Sequence, residues 1–156
     1  MNTRIIYLTI AILGSAAGPA SRAVPAPPRT LPAQAATPPC GPGLDIKNAA
    51  GNSRCFELRT YTLREGSSPD VLHARFREHT IALFQKHGMT VIGFWQPVAR
   101  RDQLVYILAY RDAAARDSAW AAFAADPEWL KTRAAMPVDV DVDNTFMVAT
   151  NYSPMK

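Results

Sequence analysis

The sequence lacks the motifs that serve nucleotide, hydrolytic and zinc chemistry. It has no phosphate-cradling glycine loop, no dinucleotide-binding fingerprint and no Ser-His-Asp or Cys-His arrangement with supporting context. The histidines are only three, at positions 73, 79 and 87, and together with the two cysteines they show no metal-site spacing. Nucleotide chemistry, nucleophilic hydrolysis and metal binding are therefore disfavoured, and no cofactor is expected.

The chain also has no large excess of either positive or negative charge. The chain has 17 Lys and Arg against 13 Asp and Glu, which gives a formal net charge of +4. The basic residues alternate with acidic ones and form no run that could follow a phosphate backbone. No nucleic-acid partner is expected.

A long apolar run is missing as well. The N-terminal run from Ile5 to Leu13 falls well short of the roughly 20 residues that a membrane span needs. It follows the basic Arg4 and precedes small residues that end at Ala23, which is the order of a secretory signal peptide rather than of an anchor helix. We predict cleavage of residues 1–23, export to the periplasm or the medium, and no membrane span after cleavage.

Residues 24–53 are predicted to form a linker, and residues 54–156 a single domain. The first part of the linker is rich in proline and alanine, a composition that favours extended structure over packing. Its prolines stand at 25, 27, 28, 32, 38, 39 and 42.

Cys40 and Cys55 are the only cysteines, and export would place them in an oxidising compartment. A bridge between them would close a loop onto the first strand of the domain and add about 3 kcal/mol of stability. The alternative is two unrelated cysteines, with Cys55 acting as a small buried apolar residue.

The domain pattern predicts the order β-α-β-β-α-β. Alternating apolar and polar residues indicate strands, and Ser67 or Ser68, Pro69 and Gly88 mark the ends of the first helix. After Pro137, an acidic segment from Val138 to Asp143 is expected to be a loop or an edge. The predicted strands are 55–63, 89–98, 104–110 and 144–152, and the helices are 69–87, 112–125 and a short piece after Asp126-Pro127.

This order favours a ferredoxin-like α+β fold with a four-stranded antiparallel sheet, the first and third strands in the middle and both helices on one face. The other face would expose an alternating apolar set to water. The exposed set is either Met89, Val91, Trp95, Tyr106 and Tyr110 or the opposite alternating residues of the same strands. Such a patch indicates association, so we expect two sheets to pair in a homodimer.

Five motifs in this order resemble those of the NIPSNAP family. They are Cys55-Phe-Glu-Leu-Arg-Thr-Tyr-Thr-Leu63, Phe76-Arg-Glu-His79, Lys86-His-Gly-Met89, Gly93-Phe-Trp95 and Ala125-Asp-Pro-Glu-Trp129. The resemblance covers Cys55 to Tyr152 and implies a dimeric α/β barrel, but no particular reaction. Cys55 departs from the family, which usually has an aromatic or aliphatic residue there.

Glu57 and Arg59 are the sharpest site candidates, because two charges on one face of a central strand are costly to bury unless they are paired. They would either hold an anionic ligand or form a structural ion pair. His79 lies three residues after Phe76 and four before Leu83, so it is expected to face the sheet as a general base, a haem ligand or a satisfied core histidine.

Aromatic residues could complete a ligand pocket or simply pack in the core and interface. The predicted ligand-binding set is Glu57, Arg59, Tyr61, His79, Trp95 and Tyr106.

The sequence leaves open whether the protein is an enzyme. The leading hypothesis is an exported, non-catalytic homodimer that binds a small apolar or anionic ligand, or a protein partner. The alternative is a small cofactor-independent monooxygenase-like or isomerase-like enzyme that uses a cavity around His79, Arg59 and Glu57.

Overall fold

The computed structural model describes residues 37–156. The predicted signal peptide and the start of the predicted linker lie outside these residues, and their assignment stays a prediction. The elements are β1 (Cys55–Leu63), α1 (Pro69–Arg75), a π-helical segment (Phe76–Thr80), α2 (Ile81–Lys86), β2 (Thr90–Trp95), β3 (Gln103–Tyr110), α3 (Ala113–Ala125), α4 (Pro127–Ala135) and β4 (Val140–Val148).

The four strands form one antiparallel sheet in the order β2-β3-β1-β4. The predicted ferredoxin-like α+β fold is therefore confirmed, with the first and third strands in the middle. Because β1 has a hydrogen-bonded strand on each side, a charge on its covered face must find its partners within the protein.

Local chemistry sets the helix ends where the sequence predicts them. Ser68 is the N-cap of α1 and accepts a hydrogen bond from the Val71 amide, with Pro69 in the first turn. Gly88 ends the first helical run with φ of +76°, a left-handed conformation that other residues adopt at a cost. Asp112 caps α3, and Asp126 both ends α3 and caps α4.

Both predicted ends of the fourth strand are wrong, since the strand ends at Val148 rather than at 152. β4 begins at Val140 rather than at 144, so the acidic segment is part of the strand and pairs with the end of β1. Asp141 and Asp143 lie on the uncovered side of this edge strand and are exposed. Charged residues are common on edge strands, where they discourage pairing with other chains.

The helices cover the sheet face that carries Glu57, Arg59 and Tyr61. Trp120 of α3 contacts Glu57 and Arg59, and the ring of Phe76 lies 5.8 Å from that of Tyr61. Met89, Tyr106 and Tyr110 are buried on this same side. The uncovered face therefore carries the other alternating set, which includes Leu58, Val105, Ile107 and Met147.

Residues 37–54 pack against the domain. A disulfide joins Cys40 to Cys55 with Cα atoms 4.9 Å apart, and Ala49 forms a bridge with Thr150 beyond the end of β4. The Ala113 amide at the start of α3 donates a hydrogen bond to the Cys40 carbonyl. Within residues 37–156, no helix combines the length and apolar character that a membrane crossing requires.

Candidate functional site

Glu57 is the centre of a buried polar network between β1, β3 and α3. Its side chain is fully buried and accepts hydrogen bonds from four side chains. Arg59 Nη1 and Arg116 Nη2 each donate at 2.7 Å to Oε1. Arg116 Nε, Tyr110 Oη and Trp120 Nε1 donate to Oε2 at 3.1, 3.0 and 3.0 Å. Five donors exhaust the capacity of a carboxylate, which offers about four lone-pair positions.

Arg59 is enclosed by Glu57 and by aromatic rings. Its Nε donates to the Tyr106 hydroxyl at 2.8 Å, and its guanidinium lies 4.3 Å from the centre of the Trp120 ring. Tyr61 is the next residue on this face, and its ring centre is 5.7 Å from the guanidinium. The structure thus brings together four members of the predicted site, namely Glu57, Arg59, Tyr61 and Tyr106.

The network holds Glu57 in its ionised form. Burial by itself would raise the pKa of Glu57, but the hydrogen bonds from Arg116 and the charges of Arg59 and Arg116 lower this pKa below its ordinary value. Burial and the Glu57 charge raise the pKa of Tyr110, which therefore stays protonated and donates. These shifts suit a fixed ion-pair network and oppose the use of Glu57 as a proton acceptor at neutral pH.

Arg116 belongs to this network, although the sequence reading did not single it out. It is almost completely buried and forms a two-point contact with Glu57. A signal was present, because Arg116 stands four residues before Trp120 and seven before Phe123, which places all three on one face of α3.

His79 is not part of the network. It is half-buried, and neither a hydrogen bond nor a ring contact links it to Arg59 within residues 37–156. The π-helical segment explains its position, since the Ile81 amide bonds to the Phe76 carbonyl five residues back and this wider turn buries Thr80 instead. The structure therefore does not bring His79 together with Glu57 and Arg59, as the predicted cavity would require.

The other two histidines also lie outside the network. His73 is half-buried in α1. His87 Nε2 lies 2.7 Å from Asp126 Oδ2, at the junction of α2 and α4. Hydrogen bonds from Lys86 and His87 lower the pKa of Asp126 well below its usual range.

Trp95 lies apart from the rest of the predicted ligand-binding set. It pairs with Val105 on the uncovered sheet face and is 50% exposed, whereas Arg59 points to the helices. The Trp95 ring folds back over Gly93, where a Cβ atom would come within 2.8 Å of it. Any ligand that touches Trp95 would therefore approach from the side of the sheet opposite to Glu57.

Arg75 is a second buried arginine that the sequence reading did not single out. Its Nη1 donates to the Met136 carbonyl at 3.1 Å, and its guanidinium lies 5.4 Å from the centre of the Trp129 ring. Its Nε is buried and has no hydrogen-bond acceptor in the described part of the chain. Residues 37–156 contain no group of three or more His, Cys, Asp and Glu side chains placed to hold a metal ion.

Comparisons with known proteins agree with this fold. A family model described as NIPSNAP matches residues 56–154, and no curated protein matches the chain significantly. A NIPSNAP family protein of unknown function from Agrobacterium tumefaciens is 21% identical, with a TM-score of 0.61 over 70% of this chain and 99% of that chain. An uncharacterized NIPSNAP-like domain protein from Burkholderia xenovorans is 24% identical, with a TM-score of 0.58 over 65% of this chain and 89% of that chain.

A further NIPSNAP family protein from Agrobacterium tumefaciens is 21% identical, with a TM-score of 0.57 over 66% of this chain and 99% of that chain. At these identities the solved structures show a common fold. The family model, by contrast, matches most of the chain and nearly all of the domain that the sequence predicts. The chain belongs to the NIPSNAP family.

Proposed function

We propose that the mature chain is an exported homodimer that binds a small apolar or anionic ligand and catalyses no reaction. The observation that carries the non-catalytic part of this proposal is the saturation of Glu57 by five hydrogen-bond donors. A general base needs a free lone pair and a pKa near the working pH, and Glu57 has neither. Glu57 and Arg59 therefore act as a structural ion pair within β1, and the hydrogen bonds from Arg116 and Trp120 to Glu57 fix this strand to α3.

The enzymatic alternative requires His79 and Arg59 to converge on one reacting molecule. His79 is only half-buried, and its neighbour Thr80 is the buried residue of this turn. No contact of the described residues favours this alternative over the binding function.

Homodimer formation is supported by the uncovered sheet face. Leu58, Ile107 and Met147 occupy neighbouring strands on this face and are only half-buried in the single chain. Trp95 extends the patch to the edge strand β2. Pairing of two such faces would remove these side chains from water, and each buried leucine-sized side chain contributes about 1.5–3 kcal/mol.

The test introduces a charge at the centre of this face. Ile107→Glu should convert the dimer to a monomer in sedimentation velocity, because two glutamates would be buried without partners at the interface. Val98→Glu is the matched control, since Val98 is 98% exposed in the turn after β2 and should leave the dimer intact. A wild-type monomer, or an Ile107→Glu dimer of unchanged affinity, would refute sheet-to-sheet pairing.

Export is supported by the order of residues 1–23, and by the disulfide, since disulfides persist in oxidising compartments. The expected mature protein begins at Val24 in the exported fraction. N-terminal sequencing of that fraction tests this, and an intact Met1 in the cytoplasm would overturn it.

A further inference from the structure

Arg75 differs from the other two arginines buried in residues 37–156. Arg59 and Arg116 both form ion pairs with Glu57 at 2.7 Å. Arg75 is equally buried, with 4% exposure, but has no carboxylate within ion-pair distance among the described residues. A buried charge without a counter-charge is costly, so this arrangement needs an explanation.

The contacts of Arg75 satisfy only part of its guanidinium. Nη1 donates to the carbonyl of Met136 at the end of α4, and the guanidinium group lies over the ring of Trp129. Nε is buried and donates to nothing in the described part of the chain. Nε–H belongs to the planar set of donors with which arginine binds a carboxylate at two points.

The electrostatic surroundings of Arg75 are positive. Burial lowers the pKa of Arg75, the nearby Tyr61 and Tyr106 hydroxyls partly oppose this, and Arg133 of α4 lowers the pKa further. None of these contributions comes from an acidic side chain. An anion at this place would therefore be attracted by two arginines, and none of the carboxylates in residues 37–156 lies within ion-pair distance of Arg75 to repel it.

The surroundings of Arg75 also suit an apolar group. Trp129, whose ring lies beside the Arg75 guanidinium, and Tyr61, whose hydroxyl raises the pKa of Arg75, are both half-buried and so reach the surface. Met136 is half-buried and Arg133 is exposed on the same helix, which leaves this junction of α1, α4 and β1 close to solvent. A flat or aliphatic body attached to an anion would find ring surface beside the guanidinium.

We infer that Arg75 binds the carboxylate of a small organic acid, through Nε–H, with the body of the acid against Trp129 and Tyr61. The inference rests on the proposed binding function and names its ligand class and its site. The two can fail separately. A dimer that retains a ligand without a carboxylate would keep the proposed function and would contradict a carboxylate site at Arg75.

The experiment follows the Nε–H signal of Arg75 in the wild-type protein by ¹⁵N-correlated NMR. Benzoate is the probe, benzamide is its neutral match, and inorganic phosphate is a second anion, each added up to about 10 mM, which covers millimolar affinities. The expected result is a saturable shift of the Arg75 signal with benzoate and none with benzamide. An unmoved signal, an equal shift with benzamide, or a response to phosphate alone would overturn the inference.

Variants locate the binding. Arg75→Lys keeps the charge and loses Nε–H and the two-point geometry, so we expect benzoate affinity to fall by about tenfold or more. Arg77→Lys is the matched control, because Arg77 is exposed two residues further along the same helical run, and its affinity should stay within about twofold. An equal loss in both variants would contradict a site at Arg75, and the wild-type signal decides the question if Arg75→Lys does not fold.

Discussion

Glu57 is the residue on which the interior of this domain depends. One buried carboxylate neutralises Arg59 and orders Arg116, Tyr110 and Trp120 around itself. Removing the partner of a buried ion pair is far more harmful than removing an exposed charge, because it leaves uncompensated charge inside the protein. The two arginines would then face each other without an anion between them.

Replacement of this carboxylate should therefore destabilise the fold strongly. Glu57→Gln keeps the shape but removes the charge, and we expect it to lower the free energy of unfolding by about 3–5 kcal/mol. Urea unfolding followed by circular dichroism measures this change. Glu78→Gln, at an exposed acid in the π-helical segment, should alter it by less than about 0.5 kcal/mol. Equal effects of the two substitutions would show that the Glu57 network is not structural.

The same residue predicts a dependence on pH. The pKa of Glu57 is lowered on folding, so its contribution to stability is complete above its ordinary value of 4.5 and is lost as the pH falls through the folded-state pKa. Other carboxylates with lowered pKa values, such as Asp126, also contribute to acid unfolding. The informative quantity is thus the difference between wild type and Glu57→Gln. It should be constant near neutral pH and shrink below about pH 4.5, whereas a constant difference down to pH 2 would contradict the network.

Individual residues show where sequence reasoning stops. The pairing of Glu57 with Arg59 could be predicted, because alternate residues of a strand share a face. Arg116 and Arg75 were missed, since a charged residue on a helix is usually solvated. Both stand three or four residues from buried positions, Arg116 from Trp120 and Arg75 from Leu72, and this spacing was the available signal.

At the scale of elements, the helix ends and the bounds of β1 and β3 followed local chemistry, whereas β2 ends at Trp95 instead of 98 and β4 spans Val140–Val148 instead of 144–152. β1 was predicted over its whole length, because Phe56 and Leu58 alternate with charged residues at its centre. β4 was predicted to begin too late, because Asp139, Asp141 and Asp143 disfavour a strand although the valines between them alternate. The π-helical segment was not predicted at all, and it changes which residues of the first helical run face the sheet.

The disulfide is the clearest element-scale test. It closes a loop of 15 residues that ends at the first residue of β1, so its loss should lower the free energy of unfolding by about 3 kcal/mol. The comparison is between the wild type and Cys40→Ala/Cys55→Ala in urea, with and without a reducing agent. The reductant should weaken only the wild type. Stability that is insensitive to both changes would show that the bridge does not hold residues 40–54 on the domain.

At the scale of the whole molecule, family and fold were predictable and the ligand was not. Five short motifs along the chain were enough to indicate the NIPSNAP family, and the family model matches residues 56–154. The predicted ligand-binding set was chosen from types and spacing alone, and the sheet separates Trp95 from Glu57 and Arg59. The packing of the whole molecule decides which face of the sheet the helices cover. The sequence therefore left two alternatives for the uncovered face, one for each alternating set of strand residues.

The most direct measurement is a native mass spectrum of the mature protein recovered from the exported fraction, because it reports the number of chains and any retained molecule together. We predict a dimer of chains that begin at Val24, with a reproducible added mass that disappears on denaturation. A monomer without added mass would contradict the proposed dimeric binding function.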